Sequence, residues 1–300
     1  MNWRTFLPLI GMILMLIVVE LVALTLAAPM YQAGYAAFEN PESLANPFIF
    51  IGILLTFTLL LLILIRLGIR KIISLIILTS IFFTLLYTFE ALILIYLGGE
   101  DLFALLGVGV AILATALLYV YPEWYVIDTL GIFIAGGVAS IFGISLGILP
   151  VLILLVLLAV YDAISVYRTK HMITLAEGVI DLRTPILFVI PKKADYSYVR
   201  EGVPLEGGER GAFIMGMGDL IMPSILVVSA NVFLRTEGAG WILLPALGAM
   251  VGSILGLLFL LFYVTRGKPQ AGLPPINTGT IMGFLVGCAL SGAWGWIPGM

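Results

Sequence analysis

Two aspartates stand among residues that are almost all apolar: Asp162 in Tyr161-Asp162, and Asp219 in Met215-Gly216-Met217-Gly218-Asp219. Each lies inside a hydrophobic run, 151–167 and 211–233. An ionisable group at membrane depth is costly and by default marks a functional site. Two such carboxylates brought together cannot both ionise cheaply, so the pair can hold one shared proton near neutral pH. The ionised member then takes a proton from water while the protonated member hydrogen-bonds a carbonyl, which is the chemistry of aspartic peptide hydrolysis. Neither residue is given the fixed role of base, because such a pair titrates as a unit.

The surrounding elements decide whether the two acids can meet. Asp162 precedes Arg168 by six residues, and Asp219 follows Arg210 by nine. At helical rise both lie ~9–13 Å inside the same membrane face. Their runs are consecutive and hence antiparallel, so the carboxylates can face one another at one height. Gly216 and Gly218 flank Met217 just before the second acid. Inside a helix each glycine costs ~1 kcal/mol relative to alanine. Their use would be to let a substrate backbone or a neighbouring helix approach Asp219; a plain packing face is the rival reading.

Composition sets the class. The 300 residues are 62% hydrophobic and 10% charged, with a mean hydropathy of +1.20, whereas a soluble domain is nearer half apolar and a quarter charged. The apolar residues form nine runs, roughly 6–28, 47–65, 72–97, 102–120, 125–142, 151–167, 211–233, 241–264 and 275–298. Most are long enough to cross a hydrocarbon core of ~30 Å as helices. They are continuous rather than alternating, which excludes a transmembrane barrel. The first run has too long a core, and Pro29 is too poor a residue after a cleavage site, for a signal peptide. The net charge of −3 gives no reason to expect a nucleic-acid partner.

The basic residues orient the runs. Arg4, Arg66, Arg70, Lys71, the seven of the 168–210 connection, Arg266 and Lys268 fall on one side of nine spans, leaving only Arg235 on the other. The positive-inside rule places the N-terminus in the cytoplasm and the C-terminus outside. Runs five and six are separated by Gly143-Ile144-Ser145-Leu146-Gly147 and Pro150, with almost no polar residue between them. Merging them would put the long connection's basic residues outside. The expectation is an all-α polytopic membrane protein of nine transmembrane helices, one membrane domain over 1–300. Spans one to six occupy 1–167, a cytoplasmic loop 168–210, and spans seven to nine 211–300.

In that loop, Met172, Leu175, Ala176, Val179 and Ile180 recur at helical spacing and predict a short interfacial helix. Residues 185–191 are apolar and partly β-branched between two prolines; an extended segment and a packed loop fit equally. The Glu- and Gly-rich 201–211 stretch reads as mobile. Gly248, Gly252 and Gly256, and Gly279, Gly283 and Gly287, form two stripes that let helices approach closely. Packing within one bundle is the first reading, and a homo-oligomer contact the second.

The other polar residues are weaker candidates. Asp128 lies near the rim of run five and is expected to meet water, while Glu20 and Glu90 read as helix–helix hydrogen-bonding groups or as facing a wet cavity. Asn277 and Thr278 could bond across helices or to a substrate, with packing the leading reading. Gly143-Ile144-Ser145-Leu146-Gly147 spells a serine-hydrolase motif, but that motif needs a strand–turn–helix and a histidine partner. The single His171 falls in the loop on the other side, and the single Cys288 reads as a packed thiol. One His and one Cys leave too few ligands for a zinc site, so no metal or organic cofactor is implied.

Tyr161-Asp162 in run six, Gly216-Met217-Gly218-Asp219 in run seven and nine spans with a cytoplasmic N-terminus together resemble the presenilin and signal peptide peptidase family of Gly-x-Gly-Asp intramembrane aspartyl proteases. The small size, without a large extra loop, is similar to the archaeal presenilin homologues. The family's third motif is Pro-Ala-Leu before span nine. Pro245-Ala246-Leu247 is a literal copy on the wrong helix; the positional equivalent is Ala271-Gly272-Leu273-Pro274. The resemblance implies that Asp162 and Asp219 are catalytic. It implies that Tyr161, Gly216, Met217, Gly218, Gly272, Leu273 and Pro274 support the site or hold substrate. It also implies a multi-pass protein of a prokaryotic cell membrane, acting in the lipid bilayer on single-span membrane proteins or peptides.

A helix hides its carbonyls in internal bonds, so such a substrate must be unwound locally before attack. Pro274 has no N–H, which leaves nearby backbone free to pair with an extended peptide. The 185–191 segment and the start of run seven are expected to offer a strand edge to that peptide. A proton- or ion-coupled transporter is the alternative use of a buried acidic pair, though no internal repeat supports it. A scaffold would need neither aspartate.

Overall fold

The computed structural model describes residues 3–97, 101–169, 187–193, 195–201, 211–236, 238, 240–264, 270–297 and 299. The apolar runs fold as helices because a chain in lipid must satisfy its own backbone groups. Among the described residues there are nine long helices. They are α1 (Trp3–Gln32), α2 (Asn46–Arg66), α3 (Arg70–Leu97), α4 (Asp101–Val120), α5 (Trp124–Ser145), α6 (Ile148–Ile164), α7 (Met217–Phe233), α8 (Leu244–Val264) and α9 (Leu273–Ser291). Seven are long and apolar enough to cross a membrane; Leu105–Val120 within α4, and α7, are shorter apolar helices. Runs five and six are two helices, parted only by Leu146 and Gly147.

The core is built on α5. Of its most apolar window 61% is buried, against 11% for α2 at the periphery. Small residues make this possible. A Cβ on Gly136 would lie 2.6 Å from Val22 of α1, one on Gly137 would strike Thr88 of α3, and one on Gly143 would strike Val228 of α7. The two stripes on α8 and α9 pack on each other, backbone to backbone. A Cβ on Gly252 would run into the Gly279 carbonyl, and one on Gly283 into that of Gly248. The stripes thus serve packing inside one bundle. Glu20 bonds helices together: Ser253 Oγ of α8 donates to its Oε1 at 2.7 Å. Glu90 accepts the Tyr35 hydroxyl at 2.7 Å, fastening the turn after α1 to α3.

Three expectations need correction. Run seven is not helical throughout. Its first part is strand β2 (Ala212–Gly216), antiparallel to β1 (Leu187–Pro191), in the register Phe188↔Met215 and Val189↔Ile214. β-Branched and aromatic residues suit either a strand or a buried helix, and the partner strand decides. A strand rises about 3.3 Å per residue, so the helical-rise depth for Asp219 does not hold. Run nine ends at Ser291, where Gly292 adopts φ 68° and closes the helix in the left-handed region. Trp296 then folds back onto Phe284, ring centroids 5.6 Å apart. Finally, Asp128 does not meet water; it is buried and accepts the Val189 N–H at 2.8 Å. The interfacial helix expected over 172–180, His171 and residues 202–210 lie outside the described residues.

Candidate active site

Asp162 sits near the C-terminal end of α6, where the helix opens into a π-helical turn, Ser165–Thr169. The residue is only 4% exposed. Oδ2 accepts the Leu273 backbone N–H at 3.0 Å, and the Gly272 N–H approaches the same group. These donors are free because they open α9, and the first N–H groups of a helix have no partner within it.

Asp219 is in the first turn of α7, immediately after β2. The positive end of a helix favours a carboxylate there. Pro223, four residues on, has no N–H with which to donate to the Asp219 carbonyl. The Asp219 side chain lies against Gly272: a Cβ there would be 2.9 Å from Oδ2 and 3.0 Å from Cγ. Gly216 flanks it on the other side, 3.6 Å from Oδ2 by the same measure. Both acids therefore touch one dipeptide, Gly272-Leu273, and are close enough to interact electrostatically.

The glycines before Asp219 are not helix-interior residues held apart for a neighbouring helix. Gly216 ends β2 and caps α7. Gly218 is exposed, and a Cβ on it would meet nothing within 4 Å. Next to Asp219 in the chain, Gly218 is thus an open position: nothing among the described residues lies within 4 Å of where its Cβ would be.

The other predicted site residues fall into two groups. Gly272, Leu273, Gly216 and Gly218 lie at the carboxylates. Tyr161, Met217 and Pro274 are turned to other work. Tyr161 is hydrogen-bonded to Thr58 of α2. Met217 is buried, its methyl against Gly131 of α5. Pro274 lines an apolar cavity of about 710 Å³ between α6, α8 and α9, shared with Ala163, Tyr167, Leu255 and Tyr263. Neither aspartate is among the residues that line that cavity. Asn277 donates to the Leu155 carbonyl at 3.0 Å, a helix–helix bond, while Thr278 is exposed on the cavity wall. Pro245-Ala246-Leu247 opens α8, which agrees with setting it aside. Ser145 is buried and accepts the Ala37 N–H at 2.7 Å; it pins the loop after α1 and has no hydrolase geometry.

Several structural partners escape a reading of the sequence. Glu123 accepts from Ser197 Oγ at 2.6 Å and the Tyr198 N–H at 3.0 Å, so the start of α5 holds the connection to β2. Tyr167 donates its hydroxyl to Gln270 at 2.8 Å, fastening the end of α6 to the segment before α9. Nothing in the spacing of these residues signals either contact.

Residues 12–293 match the profile of the family described as signal-peptide peptidase, presenilin aspartyl protease. Two solved structures, both of a presenilin family intramembrane aspartate protease, are similar to this chain. The one in space group C222 is 52% identical with a TM-score of 0.72, covering 94% of this chain and 99% of that one. The one in space group P2 is 54% identical with a TM-score of 0.71, covering 95% and 98%. Among curated proteins, none matches significantly.

Proposed function

Because this chain belongs to the signal-peptide peptidase and presenilin aspartyl protease family, it is an intramembrane aspartic endopeptidase, and we propose that Asp162 and Asp219 are its catalytic pair. The observation that supports this most is their shared backbone platform: Leu273 donates to Asp162, and Gly272 leaves room for Asp219. One carboxylate removes a proton from a water molecule, whose oxygen attacks the scissile carbonyl carbon. The protonated partner hydrogen-bonds the carbonyl oxygen. The resulting tetrahedral diol collapses as a proton passes to the amide nitrogen, the C–N bond breaks, and acid and amine leave. No step calls for a metal or cofactor.

The substrate is a transmembrane helix that must present an extended segment. β2 is suited to receive it. Lys192 N–H donates to the Gly211 carbonyl at 2.9 Å and Val189 N–H points to Asp128, so the ladder bonds run through Phe188↔Met215 and Ile190↔Phe213. The N–H and C=O groups of Ala212 and Ile214, and the N–H of Gly216, then face away from β1 and can pair with a further strand. That edge ends three residues before Asp219. Gly218, open on one side, gives the strand access to the acid.

The nine helices are read as nine spans in one domain, with the N-terminus, the 168–210 connection and the catalytic pair toward the cytoplasm of a prokaryotic cell. The basic residues support that orientation. The glycine stripes of α8 and α9 pack on each other within the bundle.

The test is cleavage of a tagged single-span protein by the purified enzyme in liposomes. Two fragments are expected from the wild type and an intact substrate from Asp162→Asn and from Asp219→Asn. Fragments at the wild-type rate from either variant would overturn the assignment; solute uptake without fragments would favour coupled transport.

A further inference from the structure

Asp128 has no part in the chemistry, yet it is an acid buried to 5% exposure on α5, a helix at the centre of the core. A buried carboxyl is costly and needs strong partners. Its partner is the outward N–H of Val189, itself 1% exposed, at 2.8 Å. The strand register gives this bond a consequence. The residues of β1 that turn their backbone away from β2 are Leu187, Val189 and Pro191. Pro191 has no N–H, and that of Val189 is taken by Asp128. At Val189 and Pro191 the outer edge of β1 is therefore denied to an added strand by a carboxylate and a proline, which favours β2 as the edge a peptide joins.

The same turn of α5 also locates the catalytic helix. A Cβ on Gly131, three residues after Asp128, would lie 2.8 Å from the Met217 methyl and 2.9 Å from the Phe188 ring. Phe188 belongs to β1, and Met217 is the first residue of α7, two before Asp219. One short stretch of α5 thus fixes both the height of the sheet and the start of the helix that carries an acid.

We propose that Asp128 is a positioning residue for specificity: by holding Val189 it sets the register of the β2 edge against Asp219, and so selects which peptide bond of the bound strand is cut. This rests on the reading of β2 as the substrate edge.

The experiment compares fragment masses, KM, kcat and melting temperature for wild type, Asp128→Ala, Asp128→Asn and Asp128→Glu on one single-span substrate. Asp128→Ala should spread cleavage to neighbouring bonds and raise KM by about fivefold, the loss of roughly one backbone hydrogen bond, with kcat changed less than KM. Asp128→Asn, which keeps an acceptor in place, should restore the wild-type cut. Asp128→Glu is one methylene longer and should displace the cut, which carries the test if Asp128→Ala does not fold.

Wild-type fragment masses from both Asp128→Ala and Asp128→Glu, or from Asp128→Glu alone if the alanine variant is unfolded, would overturn the proposal. So would a fall in kcat and melting temperature with an unchanged pattern of cuts. Ile214→Pro, which removes an outward N–H of β2, separates the two ideas. Wild-type KM in Ile214→Pro would sink the edge reading itself. An impaired Ile214→Pro beside unaffected Asp128 variants would sink only the role given to Asp128.

Discussion

Leu273 donates its backbone N–H to Asp162 Oδ2 at 3.0 Å, so the first residue of α9 is fastened to the acid of α6. Gly272, one residue earlier, leaves the space that the Asp219 side chain fills. The segment before α9 is therefore the piece against which both acids are placed.

Gly272→Ala is expected to inactivate the enzyme without unfolding it. The backbone there, at φ −79° and ψ −44°, suits any residue, so no strain arises from the main chain. The added Cβ would press on the Asp219 carboxylate at 2.9–3.1 Å and push it off the platform. Activity should fall by at least about 100-fold, in line with the cost of misplacing a catalytic group by ~1 Å. A melting temperature near wild type with no fragments would bear this out, and near-normal turnover would contradict it.

Gly252 and Gly218 should respond in opposite ways. Gly252→Val drives a side chain into the Gly279 carbonyl, which is backbone and cannot move aside. Overpacking of this kind costs ~1–3 kcal/mol or more, and the melting temperature should drop. Gly218→Val meets nothing within 4 Å in the free enzyme. Its melting temperature should stay close to wild type, while cleavage slows because the side chain stands where the substrate strand would reach Asp219. Melting and turnover measured together on both variants separate packing from access.

Tyr35 predicts a loss of stability at high pH. Burial, then its hydrogen bond to Glu90, push the phenol up to about 12. The unfolded chain releases that proton near pH ~10. Below that value the contribution is complete; above it the unfolded state ionises first, and stability falls until the folded phenol also titrates. Tyr196, buried beside Tyr198, Glu201 and Glu123, is likewise pushed up to about 12. Tyr35→Phe should therefore flatten part of the alkaline decline in melting temperature, and Tyr35→Phe with Tyr196→Phe more of it. An unchanged decline in the double variant would refute the assignment.

What could be read before the fold was known follows from what dominates locally. Long unbroken stretches of Leu, Ile, Val and Phe specify helices in lipid almost alone, so α2 or α8 needs no tertiary knowledge. The two acids stand out because an ionisable group is so costly among such residues. Ala271-Gly272-Leu273-Pro274 is legible by position alone, since of Pro-Ala-Leu it keeps only Leu273. β2 was not legible. Ala212–Gly216 is as apolar as the helix that follows, and only pairing with a strand more than 20 residues away makes it extended. The role of Asp128 was hidden for the same reason: its depth in the run suggested a wet rim, and its partner is a backbone N–H brought in by that strand. Deletion of 185–191, a natural test of the strand from sequence alone, would also remove Phe188 from the core. Single substitutions along the strand edge are cleaner.

The central claim is that Asp162, Asp219 and the segment between them act as one unit. The most direct measurement is the cleavage rate of Asp162→Asn, Asp219→Asn and the double variant on the same substrate. Residues of one catalytic unit are grossly non-additive, so each single variant should fall to the rate of the double. A single variant that keeps measurable turnover, with a further loss in the double, would contradict it.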